Sequence, residues 1–421
     1  MTAQRPAGRT GLSRRGALGL FGAVSLAAGG SAAALAGTAQ ASAGHAGAPS
    51  GPPPSALLPG GAFDQYVSGL AAQDQFSGTV LLAWHSKPTL VRSFQDADKA
   101  KHIPNQAGTI FYLDSVTKFI TGVAVTQLAA QGKVGFSATL GSYLDGFPSD
   151  IASTVTVHHL LTHTSGYRAS EAGTANDWKT REEAFNGMLG LLRGQQLAST
   201  PGTTYAYSNA NYFLAGAIVA AASGQNLWDY VPRHIFGPAG MTSTAFYSSN
   251  QWLTDPRFAH LYGPLAAGQH QDVTAKAAIG PNGWDGAFGA FSTAPDMLRF
   301  ASALTDGALL PHAWAELRAS GKYPVSTALP DPDDPAGSQS FLVGYGSDER
   351  ITGAQRAYGH TGGLHIAVSG SSQPGGGTTA LTIYPGLGVT AVVLSNYTLS
   401  SIGGISGFLA QQDRIITQHA S

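Results

Sequence analysis

The 421-residue chain contains no cysteine, which removes disulfide cross-links, a thiolate nucleophile, thiolate metal sites and a lipid-modified N-terminal cysteine together. Charge is scarce as well: only 11% of residues are Asp, Glu, Lys or Arg, and the formal net charge is -1. With no basic cluster in the body of the chain, a nucleic-acid partner is not expected. Beyond the N-terminal region no apolar run is long enough to span a bilayer, so no stable membrane anchor is expected. His158, His159 and His163 lie close together, but His-Glu-x-x-His is absent and no metal site is expected. Gly-x-Ser-x-Gly is absent too, which argues against the nucleophile elbow of an alpha/beta-hydrolase. Nothing calls for a cofactor. Oxygen and nitrogen side chains must carry the chemistry.

What is present suffices for a large core: 43% of residues are hydrophobic. At the N-terminus, Ser13-Arg14-Arg15 precedes an Ala/Gly/Leu-rich stretch from Gly16 to Gly37, and Ala39-Gln40-Ala41 and Ala41-Ser42-Ala43 offer small-residue cleavage sites. Residues 1–43 therefore read as an export signal of the twin-arginine type, which implies an extracytoplasmic product. Residues 44–60, rich in Pro and small residues, read as a flexible leader. Residues 61–421 are left as the folded domain.

Helical spacing of Phe63, Tyr66, Val67 and Leu70 predicts a helix over 61–73. Ser77 to Trp84 and Thr89 to Phe94 look like a strand pair. From Ser115 to a stop at Gly132, the run is apolar nearly all round, which predicts a buried helix. The centre, 134–319, alternates short helices with Gly and Pro turns. Strand signals return at 356–358, 366–369, 379–384 and 389–395, before a closing helix over 402–419. Strands at both ends with helices between them predict an α+β fold: one antiparallel sheet built from both chain ends, flanked by helices, plus an inserted mainly helical lobe.

Three motifs fall at the seams of this layout. Ser115-Val116-Thr117-Lys118 holds the only serine with a lysine three residues on. That spacing puts both side chains on one helix face, where an amine can reach a hydroxyl too weakly acidic to attack unaided. Tyr207-Ser208-Asn209, the only Tyr-x-Asn in the chain, supplies a phenol to relay protons and an amide to hold a carbonyl. His360-Thr361-Gly362-Gly363 ends a predicted strand, where glycines let substrate backbone lie close against a sheet.

In this order, with about 90 and then about 150 residues between them, the motifs resemble those of the serine penicillin-recognising enzymes: class C beta-lactamases, secreted DD-carboxypeptidases, D-aminopeptidases and related esterases. Similar supporting stretches are Phe76-Ser77-Gly78-Thr79-Val80, the run from Val157 to Gly166, Pro238-Ala239-Gly240-Met241, Gly289 to Ala294, and Gly344-Tyr345-Gly346. The likeness covers roughly residues 62–418. It implies Ser115 as the acylated nucleophile, Lys118 as its base, Tyr207 as proton shuttle and Asn209 as the group that orients substrate. It further implies that His360 completes the hydrogen-bond network, that Thr361 offers a hydroxyl, and that the amides of Ser115 and Gly363 form an oxyanion hole.

Beta-lactamases of this type generally show Lys-Thr-Gly at the third motif, and a neutral His360 is expected to hold a beta-lactam carboxylate more weakly. Secreted DD-carboxypeptidases, D-peptide hydrolases and many esterases resemble this chain in having His-Thr-Gly. Arg350 or Arg356 is the candidate cation for the free carboxylate of a D-peptide. Gly363, where a hydroxyl often stands, leaves esterase activity open. The expectation is an exported serine hydrolase acting on D-alanyl-D-alanine-type peptides. Alternatives are a carboxylesterase or weak beta-lactamase on the same scaffold, or a catalytically slow penicillin- or peptidoglycan-binding protein. Its partner is then a small-molecule or peptide substrate. Trp284 and Phe288 are candidates to line the cleft, and the 266–284 and 323–340 loops to control water access.

Overall fold

Strand β1 (Gly78–Trp84) is buried at six consecutive positions, and its alternate side chains enter two different cores. Val80 and Leu82 pack into one cluster, and Leu81 and Ala83 into another. Side chains on a strand alternate faces, so this pattern requires a sheet covered on both sides. The computed structural model describes residues 51–168, 178–265, 268–278, 285–327, 339–352 and 355–419. By contacts the chain forms two units, 1–47 and 48–421. The first unit, and with it the whole of the export-signal reading over 1–43, lies outside the described residues, as does Trp284.

Antiparallel pairing joins β1 to β2 (Lys87–Phe94) on one side and to the last strand, β8 (Val389–Ser395), on the other. Between these ends the chain adds β3 (Tyr323–Thr327), β4 (Gln339–Val343), β5 (Asp348–Thr352), β6 (Gln355–Ile366) and β7 (Gly375–Tyr384), giving the order β2-β1-β8-β7-β6-β5-β4-β3. A small hairpin, Tyr262–Pro264 with His270–Asp272, joins at β7 and brings the sheet to ten strands. The α+β layout expected from the sequence, with a sheet made from both chain ends, is the observed one.

On one face lie helices α1 (Ala62–Ala72) and α5 (Gly404–His419). Their seam is aromatic: the Phe408 ring sits 6.3 Å from Phe63 and 6.1 Å from Phe76. Covering the other face are α2 (Thr117–Ala130) and α4 (Ala294–Thr305), with α3 (Asn209–Ser223) of the helical lobe against α2. Burial of α2 on nearly every side, including Phe119, Ile120 and Val123, explains why its apolar residues form no stripe. Close approach fixes its height: a Cβ at Gly346 would stand 2.6 Å from the Lys118 carbonyl oxygen, and one at Gly122 would stand 2.4 Å from that of Tyr345. The Gly344-Tyr345-Gly346 turn thus clamps the first turns of α2. Among the described residues no helix is long and apolar enough to cross a membrane.

Two strand expectations change. The signal at 356–358 belongs to β6, which runs on through the glycine motif, pairs with β7 from Tyr358–Ile383 to Ile366–Gly375, and ends at Ile366, the first residue of the 366–369 signal. Glycine weakens strand propensity, but ladder pairing overrides it here. Val368 instead joins a small cluster with Ile110, Phe258 and Phe291. Strands β3 to β5 give no clear signal in the sequence, because acidic and basic side chains break up the alternation of β5.

Candidate active site

Ser115 stands in a single 3-10 turn, Asp114–Val116, that feeds directly into α2. The turn is tied from two sides. Leu113 N–H donates to Ala290 O at 2.9 Å, and Thr379 Oγ1 of β7 donates to Leu113 O at 2.8 Å. Strand β6 comes equally close: a Cβ at Gly362 would fall 2.3 Å from Leu113 O and 2.4 Å from Thr379 Oγ1. Only glycine lets this strand reach the Ser115 turn without displacing it.

One helical turn on, Lys118 is fully buried. Its Nζ donates to Ser115 Oγ, Asn209 Oδ1 and the Ala287 carbonyl, each at 2.9 Å. An ammonium removed from water is costly unless acceptors surround it, and here three do. Burial lowers the Lys118 pKa from 10.5 to about 8, against the opposing pull of Asp114, Asp285 and Asp348. Ser115 Oγ in turn donates to Asp114 Oδ1 at 3.0 Å.

Tyr207 keeps 41% of its surface exposed and lies 4.9 Å, ring centroid to Nζ, from Lys118. Desolvation of its hydroxyl, opposed by the Ser115 hydroxyl and reinforced by Asp114 and Asp348, holds the phenol well above its ordinary pKa. Tyr207 is therefore neutral at physiological pH. Beneath it, the His163 ring lies 4.4 Å away at 31°. His163 Nδ1 accepts from Ser208 N–H and Asn211 Nδ2, both at 3.1 Å, which leaves the proton on Nε2. Burial, then the Lys118 charge, drives the His163 pKa well down, so the ring stays a neutral acceptor. His163 is structural for the site: it fixes the backbone between Tyr207 and Asn209.

His360 lies on β6 within electrostatic reach of Lys118. Its Nδ1–H donates to Thr361 O at 2.6 Å. Burial first and Lys118 second lower its pKa to about 3, so it presents a neutral ring. Thr361 and Gly363 take the alternate positions on the strand. Thr361 is half-buried and Gly363 exposed, and a Cβ at Gly363 would meet nothing closer than 4.0 Å.

Ser115, Lys118, Tyr207 and Asn209 thus meet at one point, with His360 alongside. Arg350 does not join them, which corrects its candidacy as a substrate-binding cation. Its Nε and Nη2 donate to Asp413 Oδ2 and Oδ1 at 2.8 and 3.0 Å, tying β5 to α5. Breaking such a buried bidentate pair strands a charge. Arg356 is likewise engaged, by Glu349 and Glu316. Phe288 packs against the core beside α2. His158 Nδ1 meets the Tyr345 hydroxyl at 2.9 Å, and His159 caps its own helix through Thr156.

Three carboxylates around Lys118 escape a motif-based reading. Desolvation pushes Asp285 up to about 6 and Asp348 up to about 7, and raises Asp114. Asp285 accepts from Ala287 N–H at 2.7 Å and Phe288 N–H at 3.2 Å, which aims the Ala287 carbonyl at Lys118. Adjacency of Asp114 to Ser115 was the one visible signal; Asp285 and Asp348 stand far from every motif in sequence.

A two-sided antiparallel sheet with a serine-lysine turn at the head of its buried helix defines the penicillin-recognising serine hydrolase class of fold. The chain belongs to the beta-lactamase family, whose model matches residues 63–402; that family consists mostly of serine hydrolases. It is 30% identical over 247 residues to a putative penicillin-binding protein, PbpX, of Bacillus subtilis, a match spanning 58% of this chain and 59% of the relative. The chain thus spans less than two thirds of that relative's length. Among solved structures, a penicillin-binding protein from Bacillus halodurans matches with a TM-score of 0.65 and 24% identity, over 82% of this chain and 98% of the other. A D-amino acid amidase from Ochrobactrum anthropi matches with a TM-score of 0.60 and 22% identity, over 79% and 90%.

Proposed function

We propose that this protein hydrolyses amide and ester bonds of D-amino-acid-type substrates through an acyl-enzyme on Ser115. The observation that carries the reading is the set of three 2.9 Å contacts from buried Lys118 to Ser115, Asn209 and Ala287. They gather a nucleophile, a cation and a substrate-orienting amide at one point. Ser115 Oγ attacks the carbonyl, the oxyanion collapses with loss of an amine or alcohol, and water releases the acyl group. The amides of Ser115 and Gly363 are assigned to the oxyanion, supported by the close approach of β6 to the Ser115 turn. Relatives named for penicillin binding, and a D-amino acid amidase of the same fold, support the substrate class.

Both candidate cations, Arg350 and Arg356, are already engaged by carboxylates of the protein, which leaves neither to hold a carboxylate-bearing leaving group. Removal of carboxyl-terminal D-alanine therefore ranks below amidase and esterase activity. We also infer export directed by residues 1–43, supported by Arg14-Arg15 and the apolar stretch after them; fusing these residues to a reporter and following its secretion tests it.

Intact-mass spectrometry after exposure to a penicillin and to an activated ester tests the central reading. An adduct on Ser115, absent from Ser115→Ala, is expected, with faster turnover of neutral D-amino acid amides and esters than of D-Ala-D-Ala peptides. Absence of any adduct together with absence of turnover would overturn it.

A further inference from the structure

We infer that Asp348 selects the leaving group, favouring substrates whose departing amine or alcohol carries a positively charged nitrogen of its own. The inference rests on the reading of Ser115 as nucleophile and of Tyr207 as the group that hands a proton to the departing atom.

Backbone pairing brings this carboxylate to the mouth of the cleft. Strand β5 pairs with β6 from Thr352–Gln355 to Asp348–Gly359, and there the ladder ends. From His360 to Ile366 the same edge of β6 has no strand partner among the described residues. Asp348 therefore stands where the open edge carrying the third motif begins. It stays partly exposed between buried Ser347 and buried Glu349. Its charge reaches Lys118 of α2, Tyr205 and Tyr207 ahead of α3, and Tyr212 within α3. A leaving group that takes its proton from Tyr207 thus lies within reach of Asp348.

Asp348 differs from the other carboxylates near Lys118 in having no partner. Asp114 accepts from the Ser115 hydroxyl, and Asp285 accepts from Ala287 and Phe288 N–H. The Asp348 carboxylate takes no hydrogen bond and no ion pair among the described residues. Arg350, two residues on along β5, gives its guanidinium to Asp413. A desolvated carboxylate without a partner is costly, and burial pushes this one up to about 7. A bound cation relieves that cost. The half-buried Tyr205 ring, 6.4 Å from that of Tyr323 at 22°, adds a π surface, and aromatic rings attract alkylammonium groups. A carboxylate on the leaving group would meet a like charge at Asp348.

Three esters of N-acetyl-D-alanine, assayed with the full-length protein, test this. Their leaving alcohols are choline, its uncharged isostere 3,3-dimethylbutanol, and glycolate, which bears a carboxylate. At about pH 8.5, kcat/KM for the choline ester is expected to exceed that for the dimethylbutyl ester by about 10-fold, with the glycolate ester below both. Toward about pH 5.5 Asp348 takes up a proton, and the three values are expected to converge. Asp348→Asn is expected to abolish the choline preference at either pH. Ratios taken within one protein cancel any general loss of activity, and the wild-type pH dependence decides even if the variant fails to fold. A wild-type choline preference under about twofold, or one that neither acid nor Asp348→Asn removes, would overturn the inference. A role confined to balancing the Lys118 charge would scale all three esters together, leave their ratios unchanged, and overturn it equally. Absence of turnover of every ester, together with absence of a Ser115 adduct, would instead remove the nucleophile reading, and this inference with it.

Discussion

Lys118 Nζ donates to Asn209 Oδ1 at 2.9 Å, joining the first turn of α2 to the first residue of α3 across 91 residues of sequence. Two motifs unremarkable in isolation become one site through this contact, and its setting decides how the lysine titrates.

Stability follows from that titration. Burial places the folded Lys118 pKa near 8, below its ordinary 10.5. Below pH 8 the unfolded chain holds this proton more tightly than the folded one, so the lysine opposes folding there, and the penalty fades as pH rises toward 10.5. Relative to Lys118→Met, wild type is expected to gain up to about 3 kcal/mol between pH 7.5 and 10.5. Urea unfolding of both proteins across that range measures it; a constant difference would mean that Lys118 titrates normally.

Arg350 separates stability from specificity. Arg350→Met leaves Asp413 buried without its partner and is expected to cost about 3–5 kcal/mol in denaturant unfolding. The ratio of kcat/KM for carboxylate-bearing over neutral substrates is expected to stay at its wild-type value. A selective loss on carboxylate-bearing substrates would return Arg350 to the binding site.

For His163, the expected signature is kinetic. His163→Ala removes the ring beneath Tyr207 and the acceptor for Ser208 N–H. Misplacing a catalytic group by about 1 Å is worth about 100-fold, so kcat is expected to fall by that order while KM changes little. Steady-state kinetics on an activated ester reads the split directly.

Neighbouring glycines on β6 are expected to respond in opposite ways. Gly362→Ala drives a methyl into Leu113 O and Thr379 Oγ1, and is expected to cost about 1–3 kcal/mol and most of the Ser115 labelling. Gly363→Ala meets open space and is expected to fold normally, with any change confined to substrate preference. Thermal unfolding and probe labelling of the pair distinguish the two.

Much of this was legible beforehand, for identifiable reasons. Serine and lysine three apart at the head of an apolar run encode their own proximity through helical geometry, and the short, near-continuous apolar runs of β1 and β8 encode strands buried on both faces. Arg350 misled because its true partner, Asp413, lies 63 residues away on a helix whose packing no local pattern reveals. Asp285 and Asp348 were invisible for the same reason: their meaning lies in a shared proximity to Lys118. Strand β6 was read only as far as Tyr358 because Gly362 and Gly363 look like a break, whereas Gly362 serves close approach.

The sheet built from both chain ends also sets a timetable. Gly78 faces Ser395 in the ladder, and the Ser115 turn is tethered by Thr379 across a separation of 266 residues. During synthesis neither contact exists until the last strands have left the ribosome, and closing such long loops is slow. The nascent chain therefore carries its serine and lysine through nearly all of translation without a surface to hold them in place. A truncation between β6 and β7 keeps all three motifs and removes the Thr379 tether of the Ser115 turn.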